Sequence, residues 1–207
     1  MTPSAPQPPA RLLALGDSYT IGEAVEPDER WPLRLAAMLR ARGVDVAPPT
    51  IVARTGWTTD ELSSGIDGAG LGNAYDLVTL LIGVNDQYRG RMADDFRQRF
   101  RSLLGRALGF VNRRASRAIV VSIPDWGVTP FGRDRDRTRI SAEIDLFNAA
   151  ARDEAARAGA TFVDVTAISR RAASEPELLA SDGLHPSGAM YAEWARVILP
   201  IAANAIG

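Results

Sequence analysis

Short apolar runs, rich in Val, Ile and Leu, alternate along this chain with longer segments whose apolar residues have helical spacing. Such runs are typical of parallel strands that are buried on both faces of a sheet and covered by helices. Because crossovers between parallel strands are right-handed, the alternation predicts an α/β fold, a three-layer α/β/α sandwich with a five-stranded parallel sheet. Strands are predicted at residues 11–15, 50–53, 76–82, 118–123 and 161–164, and helices at about 28–42, 58–64, 93–114, 140–158 and 186–206.

The length of 207 residues fits one domain, which at this size buries roughly 70% of the surface that the unfolded chain exposes. We expect residues 11–207 to form this domain, after a flexible N-terminal segment at 1–10 that is rich in Pro and Ala. That segment lacks the basic and apolar regions of a signal peptide, and no apolar run approaches the ~20 residues of a membrane span. The expectation is a cytoplasmic protein without a membrane span.

Composition excludes several kinds of site. The net charge of −1 argues against a nucleic-acid partner, since such domains usually carry a strongly basic surface. The absence of cysteine excludes disulfides, zinc–thiolate sites and a thiol nucleophile. With one histidine in the chain, a histidine-rich metal site is excluded as well. We therefore expect neither a metal nor another cofactor.

The one histidine, His185, lies three positions after Asp182 and directly before Pro186, which is predicted to open the final helix. If the chain performs histidine-dependent general-base chemistry, His185 is the base and Asp182 is its natural orienting partner. The N-terminus of the final helix would lower the basicity of His185, whereas Asp182 would raise it. The sequence leaves that balance open.

Further candidates follow the predicted strands. Ser18, Gly56 and Asn85 lie just beyond the first, second and third strands, and the loop that ends at His185 follows the fifth. The carboxyl ends of parallel strands meet at one edge of the sheet, where open α/β sheets bind their ligands. We therefore expect all four loops to open on the same edge.

In these motifs the sequence resembles the SGNH hydrolases, also called the GDSL family. The match consists of Gly-Asp-Ser at 16–18, Gly56, Gly-x-Asn-Asp at 83–86 and Asp-x-x-His at 182–185, and it spans nearly the whole chain. The resemblance implies a flavodoxin-like sandwich and hydrolysis of carboxylic esters or thioesters, with acetylated sugars and lysophospholipids in the family's range. Tyr19 stands where the commonest motif has leucine, and we expect no effect of this departure on the chemistry.

The chemistry of the residues gives each a role. Ser18 becomes a nucleophile when His185 accepts its proton, and Asp182 holds the imidazole ring in the required tautomer. The oxyanion of the tetrahedral intermediate needs donors, which we assign to the backbone N–H groups of Ser18 and Gly56 and to the side-chain amide of Asn85. Gly56 suits a close backbone approach because it has no Cβ.

Other interpretations stay open at this stage. Taken singly, Ser18 fits a helix cap, Gly56 an ordinary turn and Asn85 a local hydrogen bond. An α/β-hydrolase is not favoured, because Thr20 occupies the place of the second glycine in its Gly-x-Ser-x-Gly elbow. The functional alternatives on the predicted fold are an acyltransferase and a non-catalytic module that binds carbohydrate or lipid.

The expected ligand is a small acyl ester, and the sequence carries no signal of oligomeric state. Candidates for the walls of its site are Tyr88, Trp126, Phe131 and Leu184, together with Trp57, although aromatic residues near strand ends also commonly belong to the core. We expect the connection at 126–139 to form one wall, with its alternating Arg and Asp residues on a solvated face. Residues 65–73 carry four glycines and are expected to form a mobile loop.

Overall fold

The computed structural model describes residues 8–72 and 74–206. Its sheet has five strands, which are β1 (Leu12–Gly16), β2 (Thr50–Ala53), β3 (Leu77–Leu81), β4 (Ala118–Val121) and β5 (Thr161–Val163). All neighbours are parallel and the spatial order is β2-β1-β3-β4-β5, the flavodoxin-like arrangement. The predicted fold class is confirmed, and each predicted strand ends within two residues of the observed one.

Helices cover both faces of the sheet. They are α1 (Ser18–Ile21), α2 (Trp31–Ala41), α3 (Thr59–Gly68), α4 (Val84–Tyr88), α5 (Ala93–Phe110), α6 (Arg137–Ala158), α7 (Thr166–Arg170) and α8 (Gly188–Ile206). Helix α2 packs against α8, and α5 packs against both α3 and α6. The short helices α1, α4 and α7 were not predicted, because four or five residues are too few to show a helical period.

Strands β1 and β3 lie at the centre and are buried at every position. Leu15 of β1 pairs with Val52 on one side and with Leu80 on the other, and all three side chains belong to one hydrophobic core. Strands buried on both faces have no polar side to alternate with, which is why they are continuous apolar runs in the sequence. The carboxyl ends of β2, β1 and β3 therefore lie side by side at one edge of the sheet.

The prediction of a mobile glycine-rich loop at 65–73 is partly wrong, because helix α3 continues to Gly68. A Cβ on Gly65 would overlap the ring of Trp57, so this glycine serves close packing within the helix. Asn73 lies outside the described residues.

Four other predicted helix ends differ from the structure by two residues or more. Helix α2 begins at Trp31, α5 ends at Phe110, and α8 begins at Gly188, two residues after Pro186. Helix α6 begins at Arg137, because the Asp136 side chain caps it.

Most of the N-terminal segment that we expected to be flexible, residues 1–7, lies outside the described residues. Its last residue, Ala10, pairs with Val46 next to the edge of the sheet, and its N–H donates to the Asp45 carbonyl at 2.8 Å. Ala10 is therefore tied to the fold. Within residues 8–72 and 74–206, no helix combines the length and the apolar character that crossing a membrane requires.

Candidate active site

Ser18 is placed by a tight turn at the end of β1. Gly16 ends the strand, and a Cβ there would overlap Thr20 and the Leu81 carbonyl, so only glycine allows this close passage. Asp17 caps α1, with its Oδ1 accepting from the Tyr19 N–H at 3.0 Å. Ser18 is the first residue of the helix and 6% exposed, so its hydroxyl lies in a recess rather than on an open surface.

Gly56 and Asn85 occupy the next two strand ends. Gly56 has φ +82°, a left-handed conformation that side chains disfavour, and it follows β2. Asn85 lies in the first turn of α4, where its Nδ2 donates to the Trp57 carbonyl at 2.9 Å. Because an amide nitrogen carries two hydrogens, this bond fixes the Asn85 side chain and leaves one donor for another acceptor.

Two backbone donors complete this group. In the part of the chain that the structure describes, the N–H groups of Ser18 and Gly56 donate to no protein acceptor. Among the described residues, three donors beside this pocket edge therefore have a hydrogen that the protein does not use, two on the backbone and one on Asn85. The guanidinium of Arg89 donates to the Gly56 carbonyl at 2.6 Å and also contacts Glu61, and so holds the Gly56 turn in place. Sequence reasoning missed Arg89.

His185 and Asp182 face each other within one loop. The Nδ1 atom of His185 lies 2.6 Å from Oδ2 of Asp182, and Asp182 Oδ1 accepts from the N–H groups of Leu184 and His185 at 3.0 Å. Gly183, with φ +66°, makes the turn that lets both side chains point the same way. This contact favours the tautomer with its proton on Nδ1, which leaves Nε2 as the acceptor.

The charge on Asp182 is stabilised by its donors. Burial alone would raise the pKa of Asp182, but the hydrogen bonds from the His185 ring and from the two backbone N–H groups outweigh it and lower the pKa below its ordinary value. Asp182 is therefore a carboxylate across the neutral range, and it can stabilise a positive charge on the imidazole ring.

Ser18 and His185 line the same pocket, although no hydrogen bond joins their side chains among the described residues. Such bonds are often long in unliganded enzymes and tighten when the substrate binds. The ring of Tyr19 lies 5.4 Å from the His185 ring, so the residue that departs from the common family motif packs against the imidazole. Burial raises the pKa of Tyr19, which therefore remains neutral.

This pocket, which we call the ester pocket, has a volume of about 180 Å³. It brings together the residues predicted at all four loops, and its lining consists of Ser18, Tyr19, Thr55, Gly56, Val84, Asn85, Tyr88, Trp126, Phe131, Leu184 and His185. The four predicted wall residues all contribute to it. Trp57 does not, because its ring packs on Gly65 instead.

The wall residues differ in burial. Trp126 is 4% exposed and its Nε1 donates to Gln87 Oε1 at 2.8 Å, whereas Tyr88 and Phe131 are each 45% exposed. The centroids of the three rings lie within 6.2 Å of one another, and the guanidinium of Arg135 lies over all three rings. Arg135 was predicted only as part of a solvated face. It is exposed, as expected, and it also shields this aromatic cluster.

Asp17 and Asp86 flank the site and make structural hydrogen bonds. Asp86 accepts from the Thr59 N–H at 3.0 Å and the Thr59 hydroxyl at 2.8 Å, and it pairs with Arg91. Asp17 is fully buried, and this burial raises its pKa to about 8. Asp17 is therefore protonated at neutral pH.

Several solved structures share this fold. LAE5, an alpha/beta hydrolase enzyme from the metagenome of Lake Arreo, Spain, is 24% identical, with a TM-score of 0.68 over 96% of each chain. The lipase/acylhydrolase from Enterococcus faecalis is 20% identical, with a TM-score of 0.70 over 94% of this chain and 96% of that one. Axe2, an acetylxylan esterase from Geobacillus stearothermophilus, is 20% identical, with a TM-score of 0.72 over 93% and 94%.

No curated protein matches this sequence. The model of the GDSL-like lipase/acylhydrolase family matches residues 14–193, a span that begins inside β1 and ends within α8. It includes every residue placed in the ester pocket above. The chain therefore belongs to the GDSL-like lipase/acylhydrolase family and is a carboxylic-ester hydrolase.

Proposed function

We propose that this protein cleaves esters through an acyl-enzyme on Ser18, with His185 as general base and Asp182 as its orienting partner. The observation that carries the proposal is the convergence of Ser18 and His185 on one pocket, with the far side of the imidazole ring held 2.6 Å from the Asp182 carboxylate. A hydroxyl is a weak nucleophile until a base accepts its proton, and His185 is the one imidazole in the sequence.

The reaction proceeds in two steps. In the first, Ser18 Oγ attacks the ester carbonyl, Nε2 of His185 accepts the hydroxyl proton, and the same proton passes to the departing alcohol. In the second, water attacks the acyl-enzyme, His185 accepts a proton from it, and the carboxylic acid leaves as the Ser18 hydroxyl is restored. Asp182 stabilises the imidazolium that forms in each step.

The oxyanion of both intermediates is stabilised by the N–H groups of Ser18 and Gly56 and by the amide of Asn85. Two observations support this assignment. Both backbone N–H groups lack a protein acceptor among the described residues, and the Asn85 amide donates one hydrogen to the Trp57 carbonyl and keeps the other free for the oxyanion. Donors already in position at a developing charge are worth far more than donors in water, because they need no reorganisation.

The size of the ester pocket favours a short acyl group. A cavity of about 150 Å³ holds a molecule the size of benzene, and the ester pocket has about 180 Å³. Its walls are mostly apolar, which suits an acyl chain rather than a charged group. Axe2, an acetylxylan esterase, has the same fold and acts on a substrate that carries a short acyl group.

The test is active-site labelling with a fluorophosphonate and hydrolysis of p-nitrophenyl acetate. Ser18→Ala should abolish both, whereas Ser64→Ala, which removes an exposed hydroxyl on α3, should abolish neither. Labelling of the Ser18→Ala variant would contradict the proposal. The mechanism uses no metal, so dialysis against EDTA should leave hydrolysis unchanged.

A further inference from the structure

A second cavity shares part of its wall with the ester pocket. It is small, about 10 Å³, and we call it the inner cavity. Three residues, Tyr19, Trp126 and Leu184, line both the ester pocket and the inner cavity. These three side chains are therefore the partition between the two spaces, and whichever of them is smallest and least restrained decides whether the spaces stay separate.

Three polar residues on the inner cavity, Asp125, Thr129 and Ser169, already have hydrogen-bond partners within the protein, so an apolar group beside them breaks none of these bonds. The space for such a group would come mainly from shortening Leu184, because the inner cavity alone has about 10 Å³. The carboxylate of Asp125 accepts from the Gly127 N–H and from Arg170. Ser169 Oγ donates to the Thr166 carbonyl at 2.7 Å and accepts from the Asp125 N–H at 2.9 Å. The remaining surface comes largely from apolar residues, namely Pro124, Leu179, Pro186 and Met190.

Leu184 is the least restrained member of the partition. Tyr19 and Trp126 are buried, Tyr19 packs against the catalytic imidazole, and Trp126 is hydrogen-bonded to Gln87. The side chain of Leu184 is only partly buried, and as an alkyl group it makes no hydrogen bond. Shortening it removes atoms between the two spaces and cuts no polar contact.

We propose that Leu184 closes the inner cavity off from the ester pocket and so sets the longest acyl chain that the enzyme accepts; this rests on the acyl-enzyme mechanism proposed above. Met190 lies on the inner cavity and does not line the ester pocket. An acyl chain therefore reaches Met190 only after Leu184 has been shortened. The effect of a substitution at Met190 is thus conditional on residue 184.

The test is kcat/KM for p-nitrophenyl esters from acetate to octanoate, expressed as the ratio of long to short ester. Leu184→Ala should raise this ratio by about 10-fold to 200-fold, the range that methylenes in an apolar pocket supply. Leu184→Val should raise it less. Leu146→Ala removes an exposed leucine of α6 that lines neither space, so its ratio should equal that of the wild type.

A double-mutant comparison separates a partition from an ordinary wall. Met190→Ala alone should leave the ratio unchanged, and in the Leu184→Ala background it should raise the ratio further for the longest esters. Equal effects of Met190→Ala in both backgrounds would overturn the proposal. So would an unchanged ratio in both Leu184→Ala and Leu184→Val, provided that both variants hydrolyse the acetate ester.

The two proposals fail in different ways. If Ser18→Ala abolishes hydrolysis while the Leu184 variants keep the wild-type ratio, the proposal that Leu184 limits the acyl chain is wrong and the acyl-enzyme mechanism is retained. If Ser18→Ala retains hydrolysis, the mechanism is wrong and the partition falls with it.

Discussion

The Nδ1 atom of His185 lies 2.6 Å from Oδ2 of Asp182, and the other oxygen of the same carboxylate accepts two backbone N–H groups of the loop that carries His185. One carboxylate thus holds both the imidazole ring and the backbone on which the ring stands. Asp182 therefore has a positional role in the loop in addition to an electrostatic role toward the ring.

Replacing Asp182 separates these two roles. Asp182→Asn retains an oxygen for the loop, but its amide nitrogen opposes the proton on Nδ1 and favours the wrong tautomer. We expect kcat to fall on the order of 10⁴-fold, as is typical of this change in serine hydrolases, with little loss of folding. The pKa of Asp182 is already lowered, so the acid limb of the wild-type rate profile should not follow its titration. Kinetics across pH, with circular dichroism as the control for folding, check both points.

Much of this site could be predicted because it depends on topology rather than on detail. Buried parallel strands are apolar runs, and their carboxyl ends meet at one edge wherever the exact helix boundaries fall. Ser18, Gly56 and Asn85 needed only to follow β1, β2 and β3, and they do. His185 was singled out because the sequence contains no other histidine.

The errors arose where distant contacts override local preference. Glycine disfavours helices, yet α3 runs through Gly65. The Trp57 ring packs against this position and leaves no room for a side chain, so packing requires glycine here despite its low helix propensity. Pro186 is a favourable first helical residue, yet it pairs with Leu179 in an antiparallel bridge, and α8 begins two residues later.

The contacts of two arginines at the site, Arg89 and Arg135, were not predicted, because a long charged side chain has no sequence signal for the groups that its guanidinium contacts. In the structure, Arg89 holds the Gly56 carbonyl and Arg135 covers the aromatic cluster.

Asn85 should act on the transition state rather than on the bound substrate. Asn85→Ala is expected to lower kcat by roughly 10² to 10³ with little change in KM, because its free amide hydrogen serves a charge that only the intermediate carries. Steady-state kinetics on one short ester suffice. A variant changed in KM alone would place Asn85 in ground-state binding.

The buried carboxyl of Asp17 should make stability depend on pH. Its pKa rises to about 8 in the folded protein, from about 4 in the unfolded chain. Between these values the folded state holds a proton that the unfolded state has lost, so this group's contribution to the free energy of unfolding falls as pH rises.

Asp17→Asn mimics the protonated form and removes this dependence. The difference in melting temperature between wild type and Asp17→Asn, measured from pH 5 to pH 9, cancels the contributions of the other titrating groups. As pH rises, the melting temperature of the wild type should fall relative to that of the variant. A constant difference would contradict the raised pKa.

The two aromatic residues of the 126–139 connection should respond differently to substitution. Trp126 is buried and hydrogen-bonded, so Trp126→Ala should cost about 3–5 kcal/mol of stability and also change ester preference. Phe131 is 45% exposed, so Phe131→Ala should cost about 1 kcal/mol or less and still shift kcat/KM between short and long esters by about 1–3 kcal/mol. Melting temperatures and the ester panel, measured on both variants, test this. An unchanged ester profile in both would remove this connection from the site.

The most direct test of the mechanism is the double-mutant cycle between Ser18 and His185. Each single change to alanine should lower kcat on the order of 10⁴-fold to 10⁶-fold, because a nucleophile and its base serve the same step. The double variant should then be little worse than either single variant. If instead the two losses multiply, Ser18 and His185 act in separate steps, and the mechanism proposed for this enzyme is wrong.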